Sequence, residues 1–133
     1  MISRMRLQFE IEDGVSVGEF RPQLICFEGG PRMRARFLEC DHSQFTDEDG
    51  KNCIEVGLDI LDTATYPESA GIDPWFLQSF DRFAPIEIET DCDIEKISLK
   101  RAYCMFKSGE VWEVPSRTFE DSEINVCNLA PSL

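Results

Sequence analysis

The sequence predicts a mainly β fold, an antiparallel β-sandwich or open barrel of about eight short strands with one short helix near residues 74–83. An α+β arrangement is the alternative. Three observations lead there. Apolar and polar residues alternate with period two in several separate stretches, which is the pattern of strands buried on one face. Turn signals such as Asp13-Gly14, Gly29-Gly30-Pro31 and Ser108-Gly109 punctuate those stretches. Only one stretch carries apolar residues at helical spacing.

In chain order, Arg4 to Glu12 alternates cleanly, with Met5, Leu7, Phe9 and Ile11 opposed to Arg4, Arg6, Gln8, Glu10 and Glu12. Asp13-Gly14 then reads as a hairpin turn, with Val15 to Phe20 as the returning strand. Pro22 interrupts, and Gln23 to Phe27 is an apolar run suited to a buried strand. Arg32 to Phe37 alternates again, with Met33, Ala35 and Phe37 opposed to Arg32, Arg34 and Arg36. Asp41 to Asn52 is polar and reads as a loop. Ile54, Val56, Leu58 and Ile60 mark another strand, ending near Asp62.

Residues 63–73 show no period. Asp73-Pro74 has the form of a helix N-cap followed by proline in the first turn, and Trp75, Phe76, Ser79, Phe80 and Phe83 fall three or four apart. The predicted helix ends before Pro85. From Glu87 to Glu95 every odd position is a carboxylate, while Ile86, Ile88, Cys92 and Ile94 are apolar. On an extended chain this comb places acids about 6.6 Å apart along one face. Beyond it the apolar phase flips to Ile97, Leu99, Tyr103 and Met105, which predicts a hairpin at Thr90 to Asp93, because a one-residue slip exchanges the two faces. Asp91 and Asp93 then fall in the turn. Lys107 to Glu110 is a second hairpin turn leading into Val111 to Val114. Pro115 to Ser122 is a connection, and Ile124 to Cys127 is the last strand.

At 133 residues and 42% hydrophobic content the chain is expected to form a single domain, 1–133, with a substantial core. No apolar run approaches the roughly 18 residues of a membrane span. The start lacks the apolar segment of a secretory signal, so the expected location is cytoplasmic. The six cysteines show no CxxC pairing, and they are expected to be free thiols serving as small buried hydrophobes.

Charge is the sharpest functional signal. Thirteen basic residues face 26 acidic ones, for a net charge of −13. Residues 1–40 hold six arginines and six acids, so the excess belongs to residues 41–133. Such a field repels nucleic acid and anionic membrane and favours cationic partners, although it also serves solubility alone.

Catalytic and metal patterns are absent or broken. Cys40 and His42 stand two apart, too far on a strand to act as nucleophile and base. Cys40, His42 and Cys53 lack a fourth zinc ligand. Aligning Gly50 to the sixth position of an EF-hand puts Phe45 first and Val56 twelfth, where carboxylates are required. No GxSxG or GK[ST] motif occurs. No catalytic, cofactor-binding or metal residues are therefore assigned, and an enzyme is not expected. Trp75 and Trp112 read as core.

The leading expectation is a small acidic binding protein that occludes a basic site on a protein partner, in the manner of an immunity protein, an inhibitor or a nucleic-acid mimic. Its candidate partner-binding residues are Glu87, Glu89, Asp91, Asp93, Asp47, Glu48 and Asp49. The expected partner is a basic protein, with no direct contact to nucleic acid or membrane, and a homo-oligomer is compatible with the sequence. A β-barrel holding a small apolar ligand is the second reading, and a carboxylate- or metal-dependent enzyme the third. The comb has a purely structural alternative as well, an internal charge ladder against Arg32, Arg34 and Arg36.

Overall fold

A computed structural model describes residues 2–28, 33–62, 82–83, 85–106, 108–120 and 122–128. Nine strands follow in order: β1 Ile2–Ile11, β2 Phe20–Glu28, β3 Met33–Thr46, β4 Asn52–Asp62, β5 Arg82–Phe83, β6 Ile86–Thr90, β7 Ile97–Phe106, β8 Val111–Glu113 and β9 Ile124–Asn128. They make one sheet in the order β8-β7-β1-β4-β3-β2-β6-β9, with β5 also pairing β2. All pairs are antiparallel except β6 with β9, which is parallel.

The sheet is folded over on itself. β6 stands four strands from β1 in the hydrogen-bonded order, about 19 Å away if the sheet were flat. Yet Ile86 and Ile88 of β6 belong to the same buried cluster as Met5, Leu7 and Phe9 of β1, Val56 and Leu58 of β4, and Ala102 and Cys104 of β7. Only a curled sheet brings them together, so the architecture is a mainly β open barrel. Its ends are the strands β8 and β9.

Alternation in the sequence correctly gives the inner face of three strands. Met5, Leu7 and Phe9, then Ile54, Val56 and Leu58, then Ile86 and Ile88 are all fully buried. Gly57 is buried on the outer face of β4, in register between Arg6 and Asp41. The Arg4 guanidinium reaches over it to Asp41 at 2.8 Å, and a Cβ at this position would collide with both groups.

Several expectations are corrected. Asp13-Gly14 is a turn, but residues 15–19 are not a returning strand, and β2 enters the sheet three places from β1. β2 begins at Phe20 and runs through Pro22. The register shifts between Pro22 and Leu24, an irregularity that accommodates a residue with no N–H. Asp41 to Thr46 is strand, the outer half of β3, paired from Asp41↔Gly57 to Thr46↔Asn52. None of its side chains is fully buried, so it carries no hydrophobic period to read. The turn is only Asp47–Lys51, with Gly50 at φ 76°.

Thr90 to Asp93 is no hairpin. β6 and β7 are not neighbours, and residues 91–96 cross between distant parts of the sheet. Within β7 a register shift opposite Gln8/Phe9 flips the inward phase from Leu99 to Ala102, Cys104 and Phe106, leaving Tyr103 and Met105 on the outer side. The predicted helix near 74–83 lies outside the described residues except for Arg82–Phe83, which pair with β2 as β5. Pro85, just beyond, has no N–H with which to close a helical turn.

Candidate functional site

Three connections meet at one end of the barrel. The loop 12–19 leaves β1, the turn 47–51 joins β3 to β4, and the loop 91–96 joins β6 to β7; the register of β1 with β4 and β7 fixes all three at the same end. Each carries three carboxylates: Glu12, Asp13 and Glu19; Asp47, Glu48 and Asp49; Asp91, Asp93 and Glu95. Against these nine acids the loops hold two lysines, Lys51 and Lys96. More than half of the net charge of −13 is therefore gathered at one end.

Hydrogen bonds lock the loops to one another. The Asp91 carboxylate accepts from the backbone N–H groups of Gly18 and Glu19 at 3.2 and 3.1 Å. The Thr90 hydroxyl, fully buried, donates to the Glu19 carbonyl at 2.7 Å. Glu12 accepts from the Glu95 N–H at 2.9 Å. Gln44 donates to the carbonyl of Val15 and accepts from the N–H of Val17, and Asn52 donates to the carbonyls of Glu12 and Val15. Gly18 approaches so closely that a Cβ would strike the Asp91 carboxylate.

The seven predicted residues divide by role. Asp47 accepts from the N–H groups of Asp49 and Lys51 at 2.9 and 2.8 Å and shapes the turn. Asp91 pins the 12–19 loop, and Asp93 accepts from the Asn128 amide on β9. Glu48, Asp49 and Glu87 are exposed, and Glu89 is half-buried. Glu87 and Glu89 occupy the outer face of β6, where Glu89 is in register with Arg21. β2 separates β6 from β3, so Arg34 and Arg36 are not cross-strand neighbours of the comb, and Arg32 lies outside the described residues. Among the described residues the direct internal ladder, to Arg34 and Arg36, is excluded.

Glu12, Asp13, Glu19 and Glu95 join the acidic end although the sequence reading did not select them. Three of them come from residues 1–40, whose charges balance, and only the loop connections reveal their convergence. The same end has a mixed flank: Glu10 and Asp47 to Asp49 line a groove with Lys51, Lys100 and Arg101. Lys100 pairs with Glu10 at 3.4 Å.

The cysteines are free where described. Burial pushes the Cys104 thiol up to about 12 and the Cys53 thiol up to about 11, with Asp47 adding to the second. Cys127 is exposed on β9, which corrects the expectation of burial for that residue. His42 is in register with Val56 and Cys53 with Phe45, about 10 Å apart along the strands, so they do not converge on an ion. Among the described residues no group of three or more His, Cys, Asp or Glu side chains is placed to hold a metal, and no helix is long and apolar enough to cross a membrane.

The hydrogen bond from Lys51 to Asp47, and that from Glu19 to Asp91, hold both carboxyls below the ordinary 3.8. A depressed folded value adds stability that is present above the unfolded value and lost as pH falls through the folded one. The wild type is therefore expected to lose stability between about pH 5 and about pH 2 more steeply than Asp47→Asn/Asp91→Asn. Thermal melts across that range check this, and equal slopes would remove the two carboxylates from the loop-locking role.

Comparison with protein-family models, with curated proteins and with solved structures finds no match for this chain.

Proposed function

We propose that the chain is a binding protein whose acidic end, together with Glu87 and Glu89, docks on a basic surface of a protein partner and occludes it. The observation that carries this reading is the convergence of nine carboxylates from three distant loops. A fold that needed acids only for solubility would gain nothing from concentrating them, since crowded like charges repel. The three loops are locked by hydrogen bonds, so the charged surface is preformed and little ordering entropy opposes binding. Association would be fast and salt-sensitive, followed by burial of a few anchors. An inhibitor, an immunity protein or a nucleic-acid mimic would work in this way.

The apolar-ligand reading has less support. Phe9, Phe20, Met5, Leu7, Ile54, Leu58, Ile86 and Ile88 fill the interior as fully buried side chains, and two grooves at the acidic end are lined largely by charged groups.

The test neutralises acids that hold no loop in place: Asp13→Asn, Glu48→Gln, Asp49→Asn, Glu87→Gln and Glu95→Gln combined. Affinity capture from the source cells at low salt should retain a basic protein on the wild type and release it as salt rises. The fivefold variant should fold normally and bind that protein with an association rate about 10–100-fold slower. If it captures the same protein with the same salt profile, the acidic end is not the interface.

A further inference from the structure

An acidic surface alone does not fix how a partner seats on it. β9 supplies a mode. It is an end strand of the sheet, paired with β6, and among the described residues no strand lies on its other side. The Glu123 carbonyl accepts from the Ile86 N–H at 2.8 Å. In a parallel ladder alternate residues direct both backbone groups to the same side. Asn125 and Cys127 therefore bond to β6, and Ile124, Val126 and Asn128 turn their N–H and C=O groups to the free edge.

Protein edges are ordinarily blunted by lysine, proline, bulges or shortness. β9, Ile-Asn-Val-Cys-Asn, has no charge, no proline and no glycine, and its pairing with β6 runs without a register shift from Ile124 to Asn128. The opposite end strand, β8, has only three residues. The surroundings of β9 are acidic. Glu87 is in register with Asn125 and Glu89 with Cys127, so the two glutamates share the outer face with these short, exposed side chains. Asp93 is held against Asn128 at one end, and Glu123 flanks the other.

We propose that β9 takes an extended cationic segment of the partner by strand addition. The segment's backbone would pair with Ile124, Val126 and Asn128. Its lysines or arginines, at every second position, would reach over Asn125 and Cys127 to Glu87 and Glu89, two strands or about 10 Å away. Main-chain bonds would supply affinity and the glutamates the preference for alternating positive charge. This rests on the acidic-binding reading and adds to it the conformation and charge pattern of the ligand.

The test measures fluorescence anisotropy with a labelled peptide of alternating lysine and threonine, alongside an isomer of equal composition with its lysines in one block. The alternating peptide should bind the wild type about tenfold more tightly than the block isomer. Methylating alternate backbone nitrogens of the peptide should remove that advantage without touching the protein. Val126→Pro deletes an N–H on the free edge and spares every bond to β6, the one arrangement in which a strand tolerates proline. It should reduce alternating-peptide binding to the level of the block isomer, and Glu87→Gln/Glu89→Gln should weaken it as well. Equal binding of the alternating, block and N-methylated peptides would overturn strand addition while leaving the acidic reading standing. Loss of all peptide binding, with unchanged capture by the acid-neutralised fivefold variant, would overturn both.

Discussion

Phe9→Ala is expected to destabilise the protein by about 3–5 kcal/mol, a large share of the stability of an ordinary small domain. Phe9 is fully buried, in register with Ile54 of β4 on one side and with Leu99 of β7 on the other. Its ring meets that of Phe20 edge to face, with centroids 5.3 Å apart and planes at 61°. Such a pair adds about 0.5–1.5 kcal/mol to the burial of its area. The contact also has a topological role. Phe9 lies near the end of β1 and Phe20 opens β2, three places away in the sheet, so the two rings join opposite walls of the barrel beneath the loop 12–19. Alanine would leave a cavity under the locked loops that the surrounding strands fill only in part. Urea denaturation of the purified variant measures the loss. A cost below about 1 kcal/mol would show that the barrel is not closed by side chains at this end.

How far the sequence discloses this arrangement depends on whether the needed information is local. The inner faces of β1, β4 and β6 follow from alternation because Met5 to Phe9, Ile54 to Leu58 and Ile86 to Ile88 each turn one face to the core. Local signals mislead where tertiary pairing supplies what the sequence lacks. Pro22 looks like a break, but the register shift beside it takes up the missing donor. Asp41 to Thr46 looks like a loop because none of its side chains is fully buried, while pairing with β4 holds these polar residues extended. Tyr103 and Met105 look inward until the shift opposite Gln8/Phe9 reverses their parity.

The site was legible in part. The outward direction of Glu87 is implied by its place between Ile86 and Ile88. The fate of Asp91 was not legible, since its hydrogen-bond partners Gly18 and Glu19 are more than 70 residues away in the chain. Nor could strand order be read. Loops 12–19 and 91–96 are long enough either to turn back beside their own strand or to cross the barrel. Crossing is what gathers the acids and keeps the comb from lying beside the arginines of β3.

A lysine at position 88 and a lysine at position 87 should have opposite consequences although they are adjacent. Ile88 is fully buried in β6, a strand with neighbours on both sides, and belongs to the main core. Ile88→Lys removes an apolar side chain whose burial is worth about 1.5–3 kcal/mol and puts an ammonium where it has neither water nor a partner. Placing that charge costs several kcal/mol more, or forces the lysine to bind as the neutral amine. The variant is expected to be unfolded or molten at neutral pH. Glu87 is exposed on the other face of the same strand. Glu87→Lys should change stability by no more than about 0.5 kcal/mol, because exposed charges seldom contribute more. Glu89→Lys should cost somewhat more than Glu87→Lys, since the new lysine would stand in register with Arg21 and like charges directly opposite are unfavourable. Thermal melts of the three single variants order these effects. A folded Ile88→Lys beside an unfolded Glu87→Lys would mean that β6 presents its carboxylates to the core, and the binding surface proposed for Glu87 and Glu89 would go with it.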